Sequence, residues 1–106
     1  MPVADMDLTG LGEVLRGEGV VLVDFWGPMC APCRVLKPHV ARLADEHAGQ
    51  IRVVAVNTEK ETEAAERFGV TGLPTFILFR GGTELRRLAG SVLPSQLAGL
   101  VAGANI

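Results

Sequence analysis

The chain has 106 residues, 48% of them apolar and 21% charged, with a net charge of −2. This length suits one domain spanning 1–106, able to bury a core without staples, and leaves no room for a second. Basic residues are few and scattered, which argues against a nucleic-acid surface, and no run approaches the roughly 18 apolar residues of a membrane span.

The start, Met1 to Asp7, has neither a basic cluster nor a long apolar run. It does not read as a secretory signal, and the cytoplasm is the expected compartment. Thr9 to Arg16 reads as a short helix stopped by Gly17 and Gly19. Val20 to Trp26 is a near-continuous apolar run, the pattern of a strand covered on both faces. Gly27 to Pro32 is a loop rich in helix breakers, and Cys33 to Ala48 then has helical spacing. Pro38 should kink that helix, and Gly49 should end it. Ile51 to Asn57 is a second strand, and Thr58 to Phe68 a further helix, with Thr58 and Glu61 spaced for a capping box. Thr75 to Arg80 and Thr83 to Ala89 flank Gly81-Gly82 as a hairpin, and Pro94 to Val101 closes the chain as a helix. Two strands joined by a long helix imply a parallel pair with a right-handed crossover, to which the hairpin adds antiparallel strands. The expected fold is a three-layer α/β/α domain with a mixed central sheet.

The chain has only two cysteines, in the segment Trp26-Gly27-Pro28-Met29-Cys30-Ala31-Pro32-Cys33. A pair so close in sequence constrains little chain entropy when oxidised, so it reads as redox or metal chemistry rather than a structural bridge. Cys30 falls where a strand hands over to a helix, at or beside unpaired backbone N–H groups and the positive dipole end. A thiolate is stabilised there, so Cys30 is expected to titrate below the free value of about 8.5. Cys33 lies one turn on, pointing inward. That asymmetry makes Cys30 the thiol that attacks a target disulfide and Cys33 the one that resolves the mixed disulfide. Pro32 suits the first helical turn.

Two other readings of the pair stand beside this one. A zinc site needs about four ligands, and only His39 and His47 are available. His39 falls nearly opposite Cys33 on the helix, and His47 lies ~21 Å further along it, so no metal is expected. Inert buried cysteines are common, but not at a strand-to-helix junction.

Asp24 is the single acid inside the first apolar strand. Burial should raise its pKa, and from beneath the disulfide it can take the Cys33 proton. The alternative is an Asp that only bonds nearby backbone. In Thr71-Gly72-Leu73-Pro74-Thr75, proline before a strand fits a cis peptide in a tight turn or an ordinary trans turn. If this loop packs near Cys30, its backbone offers strand-type hydrogen bonds to an extended substrate.

These motifs together resemble the thioredoxin family over nearly the whole chain. Val23-Asp24-Phe25-Trp26 precedes the cysteines, and Cys30-Ala31-Pro32-Cys33-Arg34 is similar to the family's Cys-Gly-Pro-Cys followed by a basic residue. Pro38, Phe68-Gly69-Val70, Leu73-Pro74-Thr75, Leu78 to Gly82 and Gly90 follow in the family's order. The resemblance implies a cis Pro74, Cys30 attacking, Cys33 resolving and Asp24 as the buried acid. It implies a docking patch of Trp26, Met29, Ala31, Pro32, Gly72, Leu73 and Gly90. It further implies a monomer that reduces disulfides in partner proteins, binds no cofactor beyond its own disulfide, and receives electrons from an NADPH-linked thioredoxin reductase.

Three departures stand out. Met29 replaces the tryptophan usual before the first cysteine, Ala31 replaces glycine, and Ala55 stands where the family often has a lysine near the buried acid. With no cation close by, Asp24 should be harder to ionise. A thiol oxidant, a disulfide isomerase and a redox-inactive binding module are the alternative functions.

Overall fold

The computed structural model describes residues 3–104. Met1 and Pro2, the first residues of the Met1 to Asp7 stretch that does not read as a signal, and the last two residues of the expected 1–106 domain lie outside them. The elements run β1 (Ala4–Asp5), α1 (Leu8–Leu15), β2 (Val20–Trp26), α2 (Ala31–Glu46), β3 (Ile51–Asn57), α3 (Thr62–Arg67), β4 (Thr75–Arg80), β5 (Thr83–Ala89) and α4 (Pro94–Val101). The five strands form one sheet in the order β1-β3-β2-β4-β5. β1 and β2 pair parallel to β3, while β4 pairs antiparallel to both β2 and β5.

The apolar runs of β2, β3 and β4 arise because both faces of the sheet are covered. Val20 and Leu22, with Ile51, Val53, Phe76 and Leu78, pack against α2 and α4 through Leu36, Val40, Leu43, Leu97 and Leu100. The alternate positions Val21, Val23 and Phe25, with Val54, Val56, Ile77 and Phe79, pack against α1 and α3 through Leu11, Leu15 and Ala64. Strand periodicity carries Asp24 to the same face as Val20 and Leu22, under α2. In a parallel ladder, register partners share a face, so Ala55, opposite Asp24, and Asp5, opposite Ala55, face α2 as well.

Four sequence expectations are corrected. β1 was not anticipated: two exposed residues have no periodicity to detect. α1 runs from Leu8 because Asp7 is its N-cap, accepting the Gly10 N–H at 2.7 Å. α2 begins at Ala31, not Cys33, with Pro32 in its first turn, and ends at Glu46 rather than Ala48. α3 begins at Thr62, and no capping box forms with Thr58. Both the N–H and the Oγ1–H of Thr58 donate to the Trp26 carbonyl, at 2.9 and 3.0 Å, so this residue is spent tying the exit of β3 to the end of β2. Pro38 lies inside α2 without ending it. The hairpin turn has φ of +57° at Gly81 and +80° at Gly82, the left-handed pair that a two-residue loop matching strand twist requires.

Phe25 is fully buried, with its ring centroid 6.0 Å from that of Phe68. Phe25→Ala is expected to destabilise the protein by about 3–5 kcal/mol, seen as a lower urea midpoint at unchanged slope. A loss under ~1 kcal/mol would contradict the packing described.

Candidate active site

The chain leaves the sheet at Trp26, crosses Gly27 to Met29, and enters α2 with Cys30 as its N-cap. Cys30 has extended backbone angles, and its Sγ accepts the Cys33 N–H at 3.2 Å. That N–H is one of the orphan donors of the first helical turn, so the sulfur takes the place usually filled by a serine or aspartate oxygen. The Sγ atoms of Cys30 and Cys33 are joined as a disulfide, with the Cα atoms 5.3 Å apart. Cys33 is buried and Cys30 half-exposed. The loop is held by the Cys30 N–H donating to the Gly27 carbonyl at 3.1 Å and by the Arg34 guanidinium donating to the Pro28 carbonyl at 3.2 Å.

The Leu73-Pro74 peptide bond is cis. Thr75 pairs with Phe25, which sets Pro74 beside the Trp26 end of β2. The loops of the two strands touch: a Cβ on Gly27 would sit 3.0 Å from Leu73 Cδ1. The Thr75 hydroxyl donates to the Gly72 carbonyl at 2.7 Å, and the Gly90 N–H donates to the Pro74 carbonyl at 3.0 Å. Met29, 88% exposed, crowns this rim with Ala31, Pro32 and Gly72, all exposed, while Trp26, Leu73 and Gly90 are partly covered.

Beneath the rim a cleft of about 320 Å³ is lined by residues that include Asp5, Asp24, Trp26, Cys33, Lys37 and Ala55. Asp24 and Cys33 share this space. Burial in the apolar strand and, after it, the nearby Asp5 carboxylate push the Asp24 carboxyl up to about 7, against the opposing Lys37 ammonium. The expectation that no cation stands near Asp24 is thus corrected. Ala55 supplies none, but Lys37 reaches the cleft from α2, with Nζ 5.9 Å from the centroid of the Trp26 ring.

Residues 11–102 match the thioredoxin family model. The chain belongs to the thioredoxin family. It is 39% identical to thioredoxin 1 of Nostoc sp., over 87% of this chain and 86% of that protein. Against the thioredoxin of Alicyclobacillus acidocaldarius it is 36% identical, over 89% and 91% of the two chains. Among solved structures, a thioredoxin of Malassezia sympodialis superposes with a TM-score of 0.90 at 25% identity, covering 99% of this chain and 92% of that one. A mutant thioredoxin of Halobacterium salinarum superposes with a TM-score of 0.87 at 28% identity, covering 99% and 91%. The chain is a thiol–disulfide oxidoreductase, and its thioredoxin relatives make it a protein-disulfide reductase.

Among the described residues, no group of three or more His, Cys, Asp and Glu side chains is arranged to hold a metal ion. No helix of those residues is long and apolar enough to cross a membrane. His39 lies on the body of α2, and His47 is its C-cap, away from the cysteines at its start. Two residues at the thioredoxin centre escaped sequence reasoning. Asp5 sits on a strand too short to recognise. The helical spacing from Cys33 to Lys37 is the signal that could have brought Lys37 to the cleft.

Asp24 generates a pH prediction. Its folded pKa of about 7 lies above its ordinary value of 3.8. Between those values the folded chain holds a proton that the unfolded chain has lost, so stability falls as pH rises from about 4 to 7 and then levels. Asp24→Asn is expected to abolish that slope and to be more stable than the parent at pH 8. The gain has an upper bound of about 4 kcal/mol, reduced because the cleft leaves the carboxyl partly open to water. Urea midpoints across pH 4–9 measure this, and parallel profiles for the two proteins would contradict it.

Proposed function

We propose that Cys30 is the attacking thiol and Cys33 the resolving thiol of a cycle that reduces exposed disulfides in partner proteins. The observation that carries this reading is Cys30 as the N-cap of α2, its sulfur accepting the Cys33 N–H and bonded to the Cys33 sulfur. In the reduced protein the same donors and the helix dipole favour a thiolate at Cys30. That thiolate attacks one sulfur of the target disulfide, forming a mixed disulfide and expelling the other target sulfur as a thiolate. Cys33 then loses its proton to the Asp24 carboxylate and attacks the Cys30 sulfur. The mixed disulfide breaks, the target leaves with both sulfurs reduced, and this chain is left with its Cys30–Cys33 disulfide. Two electrons have passed to the target. An NADPH-linked thioredoxin reductase supplies the next pair, and neither NADPH nor flavin binds this chain.

The target lies across Met29, Ala31, Pro32, Gly72, Leu73 and Gly90, with Trp26 below. Pro74 presents backbone beside the disulfide for strand-type pairing with an extended substrate segment. The exposed thioether of Met29 adapts to varied surfaces where a rigid aromatic plate would select among them. The protein acts as a monomeric single domain in the cytoplasm, in electron transport and the maintenance of thiol balance.

Cys30→Ser is expected to abolish insulin reduction driven by a dithiol donor. Cys33→Ser is expected to accumulate a mixed disulfide, visible as a higher-mass species on a non-reducing gel and lost on adding excess thiol. Turnover retained by Cys30→Ser would reverse the assignment of the two sulfurs.

A further inference from the structure

The cleft under the disulfide holds two charges that the proposed cycle does not use, and both converge on Trp26. Asp5, on the edge strand β1, accepts the indole Nε1–H at 2.8 Å through its Oδ1. Lys37, on α2, stands over the face of the same ring with Nζ 5.9 Å from its centroid. The indole is thus held by an anion at its N–H edge and a cation over its π face, the arrangement its dipole and quadrupole favour.

Register carries the two groups to Asp24 as well. Asp5 and Asp24 both pair with Ala55, from opposite sides, so the two acids occupy one face of the sheet with a single methyl side chain between them. Two strand spacings separate their backbones by roughly 9–10 Å. At that distance, beside a protein wall, a charge moves its neighbour's titration by about half a unit to one unit. The other groups facing Asp24 are few. From α2 come Cys33, Lys37 and Arg34, whose guanidinium is engaged by the Pro28 carbonyl. From β3 comes Ala55, and β4 presents the apolar Phe76 as the register partner of Asp24.

We propose that Asp5 and Lys37 are positioning residues of the redox centre: together they clamp Trp26 at the rim of the cleft and set opposite charges on either side of Asp24. Lys37 fills from the helix the place left by the missing cation at Ala55. Asp5 acts against it and keeps Asp24 protonated further up the pH scale. The consequence for the cycle rests on the proposed role of Asp24 as the base for Cys33, but the clamp and the titration do not.

The test separates charge from hydrogen bonding. Asp5→Asn removes the charge and leaves an oxygen that can accept the indole N–H. Asp5→Ala removes both, and Lys37→Met removes the cation while keeping a long stem. The Asp24 carboxyl carbon is followed by NMR in the oxidised protein labelled with ¹³C-aspartate. Its midpoint is expected to fall by about half a unit or more in both Asp5 variants and to rise by a similar amount in Lys37→Met. The indole N–H resonance and the tryptophan emission are expected to change in Asp5→Ala and to be largely restored in Asp5→Asn. The acid limb of the pH profile for insulin reduction is expected to move with the Asp24 midpoint.

An Asp24 midpoint unmoved in Asp5→Asn and Lys37→Met, or an indole signal equally disturbed in Asp5→Asn and Asp5→Ala, overturns the inference. Neither result touches the assignment of the thiols, which Cys30→Ser tests alone. Conversely, turnover retained in Cys30→Ser with the expected midpoint shifts would sink that assignment and leave the clamp standing.

Discussion

A strand sealed on both faces has to deliver its chain to solvent at its ends, and the chemistry of this protein depends on how β2 does so. Val20 to Phe25 are committed alternately to the two helical layers, which leaves no freedom in register. The chain therefore emerges at a fixed height after Trp26 and has only Gly27, Pro28 and Met29 in which to turn into α2. Cys30 lands on the N-cap, the one position where a side chain faces unpaired amides without itself being helical. β4 is locked to the same strand, so its entry loop, with the cis Leu73-Pro74 bond, arrives at the same edge. Rigid strand ends and short loops bring separate parts of the chain to one rim, the usual placement of sites in open α/β sheets.

The same sealing makes Asp24 costly. Its parity belongs to the apolar set of Val20 and Leu22, and an ionised carboxylate at that position gives up hydration without a direct ion pair. The fold answers by leaving a cleft rather than filling the space. Ala55 is too small to cover the acid, and Lys37 and Asp5 share the opening with it. Asp24 is thereby held near neutrality, where a carboxyl can both accept and return a proton. A fully packed apolar residue would stabilise the sheet more and leave no carboxyl in the cleft that Cys33 lines.

Much of this was legible from residues alone. The bounds of β2, β3, β4, β5 and α4 follow from apolar runs, a Gly-Gly turn and a proline start, signals that act locally and that tertiary packing reinforces. The cysteine spacing and the lone acid in β2 single out residues that the fold brings to one cleft. What escaped had no local signature. β1 exists only because β3 offers it a partner, so Asp5 looked like one acid among several near the start of the chain. Thr58 and Glu61 had capping-box spacing, but Thr58 is drawn to the Trp26 carbonyl by a neighbouring strand end that no local window contains. The start of α2 was displaced by two residues because Ala31 and Pro32 read as loop. A proline is welcome in a first turn, and a cysteine can act as a cap there.

The position of Lys37 shows why substitution by substitution reading of a family pattern misleads. Ala55 removes the cation only from the matching strand position. Charge in a cleft is not tied to one strand. Any element lining the space can supply it, and a lysine stem is long enough to reach from the helix across to the indole. Moving the cation from the sheet to α2 changes what it touches. A lysine on β3 would lie between the two acids and screen each from the other. Lys37 stands over Trp26 instead, so Asp5 and Asp24 face one another across a methyl group, and Asp5 also accepts the indole N–H. The proton affinity of Asp24 in this chain is then a property of three elements, β1, β2 and α2, whose charges at Asp5 and Lys37 also hold the Trp26 ring.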